Sequence, residues 1–143
     1  MAYDTEQLLR MTQAQLDDLF TNSPVGEIPD GEGKGTAIIA AGTGLTPEIA
    51  SFINYFAWQG KVFDAKAGLL KNRILAFGVA AIVAQVYKGP SWFDGKECIV
   101  LDYSQTSLVA GWIRDEIRMI DPAFYLGEVF GGRNRIFHFS LQF

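Results

Sequence analysis

From Trp58 to the C-terminus the chain reads as a succession of short extended segments separated by tight turns, with no helical periodicity between them. A strand begins at 61–64, and others are expected at 71–77, 79–88, 97–103, 112–120, 124–130 and 135–143, with 37–41 upstream, about eight in all. Gly89-Pro90, Asp94-Gly95, Asp121-Pro122 and Gly131-Gly132 punctuate them, each a pair that turns the chain sharply. Consecutive hairpins of this kind build an antiparallel sheet. A long open sheet would leave unprotected edges, so the expected architecture is a curved antiparallel β-barrel or half-barrel.

Upstream the pattern is helical, which makes the class α+β. Asp4 and Thr12 are cap residues, each followed three places later by a glutamine, Gln7 and Gln15. After the second, Leu16, Leu19 and Phe20 share one helical face, and the reading favoured here packs that face on the body of the domain. Residues 21–36 are rich in Pro and Gly and read as loop. The run Gly31-Glu32-Gly33-Lys34-Gly35-Thr36 superficially suggests a phosphate cradle, but the lysine is followed by glycine where the motif needs Ser or Thr. Thr46-Pro47-Glu48 is a strong helix start, and Ile49, Phe52, Ile53 and Phe56 follow at i, i+3, i+4 and i+7. The expected organisation is one domain over 1–143: a helical segment at 1–20, a Gly/Pro loop at 21–36, and a barrel over 37–143 with helix 46–57 capping or plugging it.

A chain of 143 residues buries about 68–70 % of its unfolded surface without staples. With 49 % apolar and 13 % aromatic residues there is apolar material beyond a minimal core, enough to line a pocket. The net charge of −4 and the lack of a Lys/Arg block argue against nucleic acid. Cys98 is the one cysteine, so an internal disulfide and a cysteine-built metal site are both excluded and a reduced, cytoplasmic setting is the simplest inference. No apolar run is long enough to span a membrane, and no secretory signal opens the chain.

Strand alternation singles out two carboxylates. On 112–120, Trp112, Arg114, Glu116, Arg118 and Ile120 share one face, and Ile113, Asp115, Ile117 and Met119 share the other. Asp115 therefore lies among hydrophobes, where a lone carboxylate needs an arginine or several N–H groups. The opposite face reads as a solvated ladder of alternating charge. On 97–103, Asp102 is the anomaly beside Cys98 and Val100.

Three readings remain open. Asp102 and Asp115 could pair with Arg73, Arg114 or Arg118 and fix strand register. They could orient the polar end of an apolar or amphipathic small molecule, lipid-like or aromatic, enclosed by the barrel. They could be acid/base residues of a small isomerase, cyclase or lyase, with Tyr103 or His138 assisting. The candidate ligand contacts are Trp58, Phe63, Tyr87, Trp92 and Tyr103 on one side of the chain's midpoint region, and Trp112, Arg114, Arg118, Tyr125 and His138 further on. His138, the single histidine, also raises haem as a minor cofactor reading, although no haem spacing surrounds it. No metal set stands at a characteristic spacing. Cys98, beside Ile99 and Val100, reads as a small core residue and not a reactive thiol. A further class is an interaction module using the N-terminal helices or a sheet edge, with a homodimer among its forms.

The elements Trp58-Gln59-Gly60-Lys61-Val62-Phe63-Asp64, Tyr87-Lys88-Gly89-Pro90-Ser91, Asp102-Tyr103 and Leu126-Gly127 occur in an order that resembles the GxWxG-containing family of small bacterial proteins. Asp94-Gly95-Lys96-Glu97 and Arg114-Asp115-Glu116-Ile117-Arg118 belong to the same similarity. Its signature tryptophan is missing from Gly31-Glu32-Gly33-Lys34-Gly35. The resemblance implies a lipocalin-like barrel and brings no activity with it.

Overall fold

Eight antiparallel strands follow one another round a closed barrel in the computed structural model, which describes residues 3–39, 58–74, 82–105, 111 and 113–143. For 58–60, 71–74 and 82 the description is limited to the backbone. The strands are β1 (Gly31–Ile38), β2 (Trp58–Asp64), β3 (Leu69–Ile74), β4 (Ile82–Pro90), β5 (Glu97–Asp102), β6 (Ile113–Asp121), β7 (Phe124–Gly131) and β8 (Asn134–Gln142). Each pairs with the next, and β1 pairs with β8 in the register Lys34↔Gln142 to Ile38↔His138. That last ladder leaves no open edge among the described strands. The expected helix at 46–57 lies outside the described residues.

Two short helices precede the barrel, α1 (Thr5–Leu9) and α2 (Gln13–Asn22). Both begin with the reciprocal caps that the Asp4/Gln7 and Thr12/Gln15 spacings predict, each side chain meeting the other residue's backbone N–H at 2.8–3.2 Å. Satisfying those donors lets helices this short persist, but their stability comes from burial. Leu8, Leu16 and Phe20 are fully buried against Ile38, Cys98, Val100, Phe124 and Leu126 on the outer wall. This is why β5 and β7 lose the alternating burial of a half-solvated strand. Cys98 sits under this cover, and burial, followed by the nearby Glu116, pushes its thiol up to about 12.

The inner core is a second cluster, including Phe63, Leu70, Ile99, Leu101, Ile117, Val129, Phe137, Phe139 and Leu141. Segment 24–30 runs across the barrel end at which β1 starts and β8 stops. Val25 and Ile28 pack on the inner core, and the Tyr125 hydroxyl donates to the Glu27 carbonyl at 2.6 Å.

The first three strands begin earlier than expected, β2 at Trp58 and β3 at Leu69, and β1 departs furthest. Residues 31–36, expected as loop, form most of β1, and the reason is steric. A Cβ at Gly33 would lie 2.6 Å from Cζ of Phe143, whose ring meets Phe63 and Tyr125 edge-on with centroids 5.5 and 5.6 Å apart. At Gly127 a Cβ would come 2.2 Å from the ring of Phe139, its cross-strand partner. Here glycine in a strand marks a ring laid flat on the backbone, not a turn.

Candidate functional site

The inward face of β6 carries Ile113, Asp115 and Ile117, so period-two alternation places one carboxylate inside an apolar lumen. The same rule turns Lys61 and Phe63 inward on β2, and Tyr103 inward just after β5. Four places separate β2 from β6 in a ring of eight, so Lys61 and Asp115 come from opposite walls. Lys61 Nζ lies 3.2 Å from Asp115 Oδ2, with the side chains only 1 % and 2 % exposed. It donates to the Tyr103 hydroxyl at 2.9 Å, and that hydroxyl donates to Asp115 Oδ2 at 3.2 Å. The rings of Tyr103 and Phe139 stand 5.6 Å from the ammonium, giving it a partly aromatic cage.

Burial dominates the electrostatics of this triad. Desolvation lowers the Lys61 amine below the usual lysine range, and desolvation raises the Asp115 carboxyl above the usual aspartate range. Each is drawn partly back by the other's charge. Asp115 Oδ1 is buried and meets no donor among the described residues. The triad lies toward the rim where β5 ends and β6 and β2 begin. β1 and β3 also end, and β4 begins, on that rim.

The other anomalous carboxylate is elsewhere. Asp102 projects from the outer wall, accepts from the Tyr87 hydroxyl at 2.8 Å and from the Ser104 N–H and hydroxyl at 2.9 and 2.6 Å. Partial burial raises its carboxyl, but the bonds from Ser104 and Tyr87 outweigh that and leave it below the usual range. An acid with an elevated pKa is thus found at Asp115 and not at Asp102, and the two do not share a site. Tyr87 itself is 39 % exposed.

Arg114, Glu116 and Arg118 share the outer face of β6, as alternation requires, but that face is not a solvated ladder. Glu116 is fully buried and accepts from the Ser91 hydroxyl (2.5 Å), the Trp92 N–H (2.7 Å) and Arg114 Nε (3.0 Å), pinning the turn at 91–95. Arg114 also stacks 4.4 Å over the Trp92 ring. Arg118 grips Asp94 with both Nη atoms at 2.6 and 2.7 Å, donates to the carbonyls of Phe20, Lys96 and Glu97, and lies 4.4 Å over the Phe20 ring. It is the clamp between α2, the 91–95 turn and the barrel.

A pH consequence follows. The Arg118 bond holds Asp94 below the usual carboxylate range, so the unfolded chain takes up this proton more readily than the folded one. Its contribution is present above the ordinary aspartate value and is lost as pH falls from there through the depressed folded value. Amide exchange in α2 should therefore accelerate over that acid window before exchange in β7 and β8 does. Equal acceleration everywhere would count against a local clamp.

Of the sequence-predicted contacts, Phe63, Tyr103 and Tyr125 join Asp115 inside the barrel. Tyr87, Trp92, Arg114, Arg118 and His138 lie on the outside, His138 beneath α2 next to Asp17, Glu128 and Arg135. The Trp58 side chain and Trp112 fall outside the described residues. Lys61, the partner that matters most, escaped sequence reasoning. The available signal was its shared face with Phe63 in a strand facing an isolated carboxylate, and adjacency rules do not reach across a lumen.

Fold and site together define an eight-stranded up-and-down barrel with a lysine–aspartate–tyrosine cluster in its lumen and a helical cover outside. No protein-family profile and no curated protein matches the sequence. Among solved structures, a protein from Thermomonospora curvata is similar in fold, with a TM-score of 0.67 and 16 % identity over 93 % of this chain and 88 % of that one. Among the described residues no helix is long and apolar enough to cross a membrane.

Proposed function

We propose that the chain binds one amphipathic small molecule in the barrel, lipid-like or aromatic in its body, with a hydroxyl or N–H at its polar end. The observation that carries this reading is the buried Asp115 Oδ1, which meets no donor among the described residues although Oδ2 has two. A carboxylate oxygen left unmatched in an apolar lumen is costly, and a ligand donor placed on it offsets that cost. Phe63, Tyr125 and Phe139 supply apolar walls, and lipocalin-like binding is the form of this reading.

Native mass spectrometry of the full chain, followed by organic extraction, tests it. The expected result is a retained small molecule, displaced by N-phenyl-1-naphthylamine. Affinity for that molecule should fall about tenfold or more in the Lys61→Met/Asp115→Leu double variant, since a hydrogen bond to a charged group contributes about 1.5–3 kcal/mol. A chain that carries nothing and takes up no dye sinks the proposal.

A second reading uses the same atoms. Burial moves Lys61 and Asp115 toward each other's proton affinity, so Asp115 could take a proton from a bound ligand while Tyr103 and Lys61 steady the charge formed. Asp115→Asn would then keep binding and lose turnover of the extracted molecule.

A further inference from the structure

We propose that Asp17, Glu128 and His138 form a site for one divalent transition-metal ion of the zinc class, between α2 and the outer wall of the barrel. Glu128 and His138 are direct cross-strand partners on β7 and β8, both projecting outward, and Asp17 descends from α2 onto them. Their donor atoms all lie within 4.8 Å of one another. His138 Nε2 is 3.3 Å from Glu128 Oε1 and 3.6 Å from Asp17 Oδ1. Zinc ligands about 2.0–2.2 Å from the ion stand roughly 3–3.6 Å apart, so two of the separations already suit a shared ion.

What points to a ligand is the state of the buried atoms. His138 is 1 % exposed, yet among the described residues neither ring nitrogen makes a hydrogen bond, and Oε2 of the fully buried Glu128 meets no donor. Buried polar atoms are satisfied in all but a few cases, and an imidazole whose Nε2 faces two carboxylates without a hydrogen bond to either suits a ligand that it can donate electrons to. An imidazole with two carboxylates and no thiolate favours zinc and its neighbours over Cu(I), and the imidazole disfavours Mg²⁺ and Ca²⁺. Two carboxylates also balance a double positive charge.

Arg135 is the built-in competitor. Its Nη1 bridges Asp17 Oδ1 at 2.5 Å and Glu128 Oε1 at 3.0 Å, occupying the space between the carboxylates with a single positive charge. The Phe93 ring, 4.5 Å from Cζ, supports the guanidinium from outside. A cavity of about 160 Å³ lined by Gln13, Arg135, Ile136, Phe137 and His138 leads to the site. Metal entry requires Arg135 to withdraw, and the ion would then tie α2 to β7 and β8 in its place.

The test is calorimetric titration of the EDTA-treated full chain with ZnCl₂, and the absorption spectrum of its Co²⁺ form. One equivalent should bind with ordered Co²⁺ d–d bands. Arg135→Gln should bind about tenfold more tightly or better, because the competing cation is gone. Asp17→Asn, at a half-buried helix position, should bind at least about tenfold more weakly, and His138→Gln should lose the d–d bands. Failure of both the wild-type chain and Arg135→Gln to bind Zn²⁺ overturns the proposal. So does equal affinity in the wild-type chain and Asp17→Asn, which keeps the test decisive if His138→Gln does not fold.

Discussion

Asp115→Ala should destabilise the protein by about 3–5 kcal/mol, because it removes the carboxylate from a lysine that the barrel buries almost completely. For a chain of this size that is a loss on the order of 10 °C in Tm. The companion expectation runs the other way. Lys61→Met/Asp115→Leu removes both charges and fills the lumen with apolar groups of similar volume, so most of the loss should return and stability could exceed that of the wild type. Urea denaturation of the two singles and the double gives the coupling directly. If Asp115→Ala costs less than about 1 kcal/mol, the pair is not the buried ion pair that the geometry describes. The comparison also separates stability from binding: a double variant that is stable but has lost its ligand assigns the pair to recognition, at the expense of stability that an apolar lumen would have supplied.

Arg118→Met should cost about 3 kcal/mol or more and should act locally. The substitution removes the bidentate bond to Asp94, strands three backbone carbonyls, and uncovers the Phe20 ring. Because those groups join α2 to the 91–95 turn, hydrogen exchange in α2 should accelerate strongly while the β7–β8 ladder keeps its protection. Arg118→Lys should recover less than half of the loss, since an ammonium cannot reproduce the planar fork that meets Asp94 and the carbonyls together. Full recovery by lysine, or unchanged exchange in α2, would show that the helix is held by its apolar face alone.

These two residues also show where sequence reasoning succeeds. Alternation along 112–120 separates Asp115 from Arg114, Glu116 and Arg118, and the structure keeps them on opposite faces. The Asp4/Gln7 and Thr12/Gln15 spacings become two capping boxes, and the Leu16/Phe20 face becomes the buried side of α2. Strand and turn positions from 82 to 143 agree to within a few residues, because turn chemistry and period-two patterning are short-range properties.

The misreadings share one origin. Residues 31–36 look like loop because their glycines look like turns, yet Gly33 exists for a ring that arrives from Phe143 at the other end of the chain. The Arg114/Glu116/Arg118 face looks like a solvated ladder because nothing local to β6 announces that α2 and the 91–95 turn will cover it. His138 and Asp17 lie at opposite ends of the sequence and gain meaning only when α2 docks on β8.

By itself, then, the sequence determined a succession of antiparallel hairpins with a helical preface, and the isolation of Asp115 on an apolar face. Only the tertiary structure decided that β1 closes on β8, that Lys61 reaches Asp115 across the lumen, and that the outer charges of β6 are buried. The physical reason is range. Backbone propensity, capping and alternation act over a few residues, whereas the partner of a buried charge depends on closure, which brings β2 opposite β6 only when all eight strands have paired.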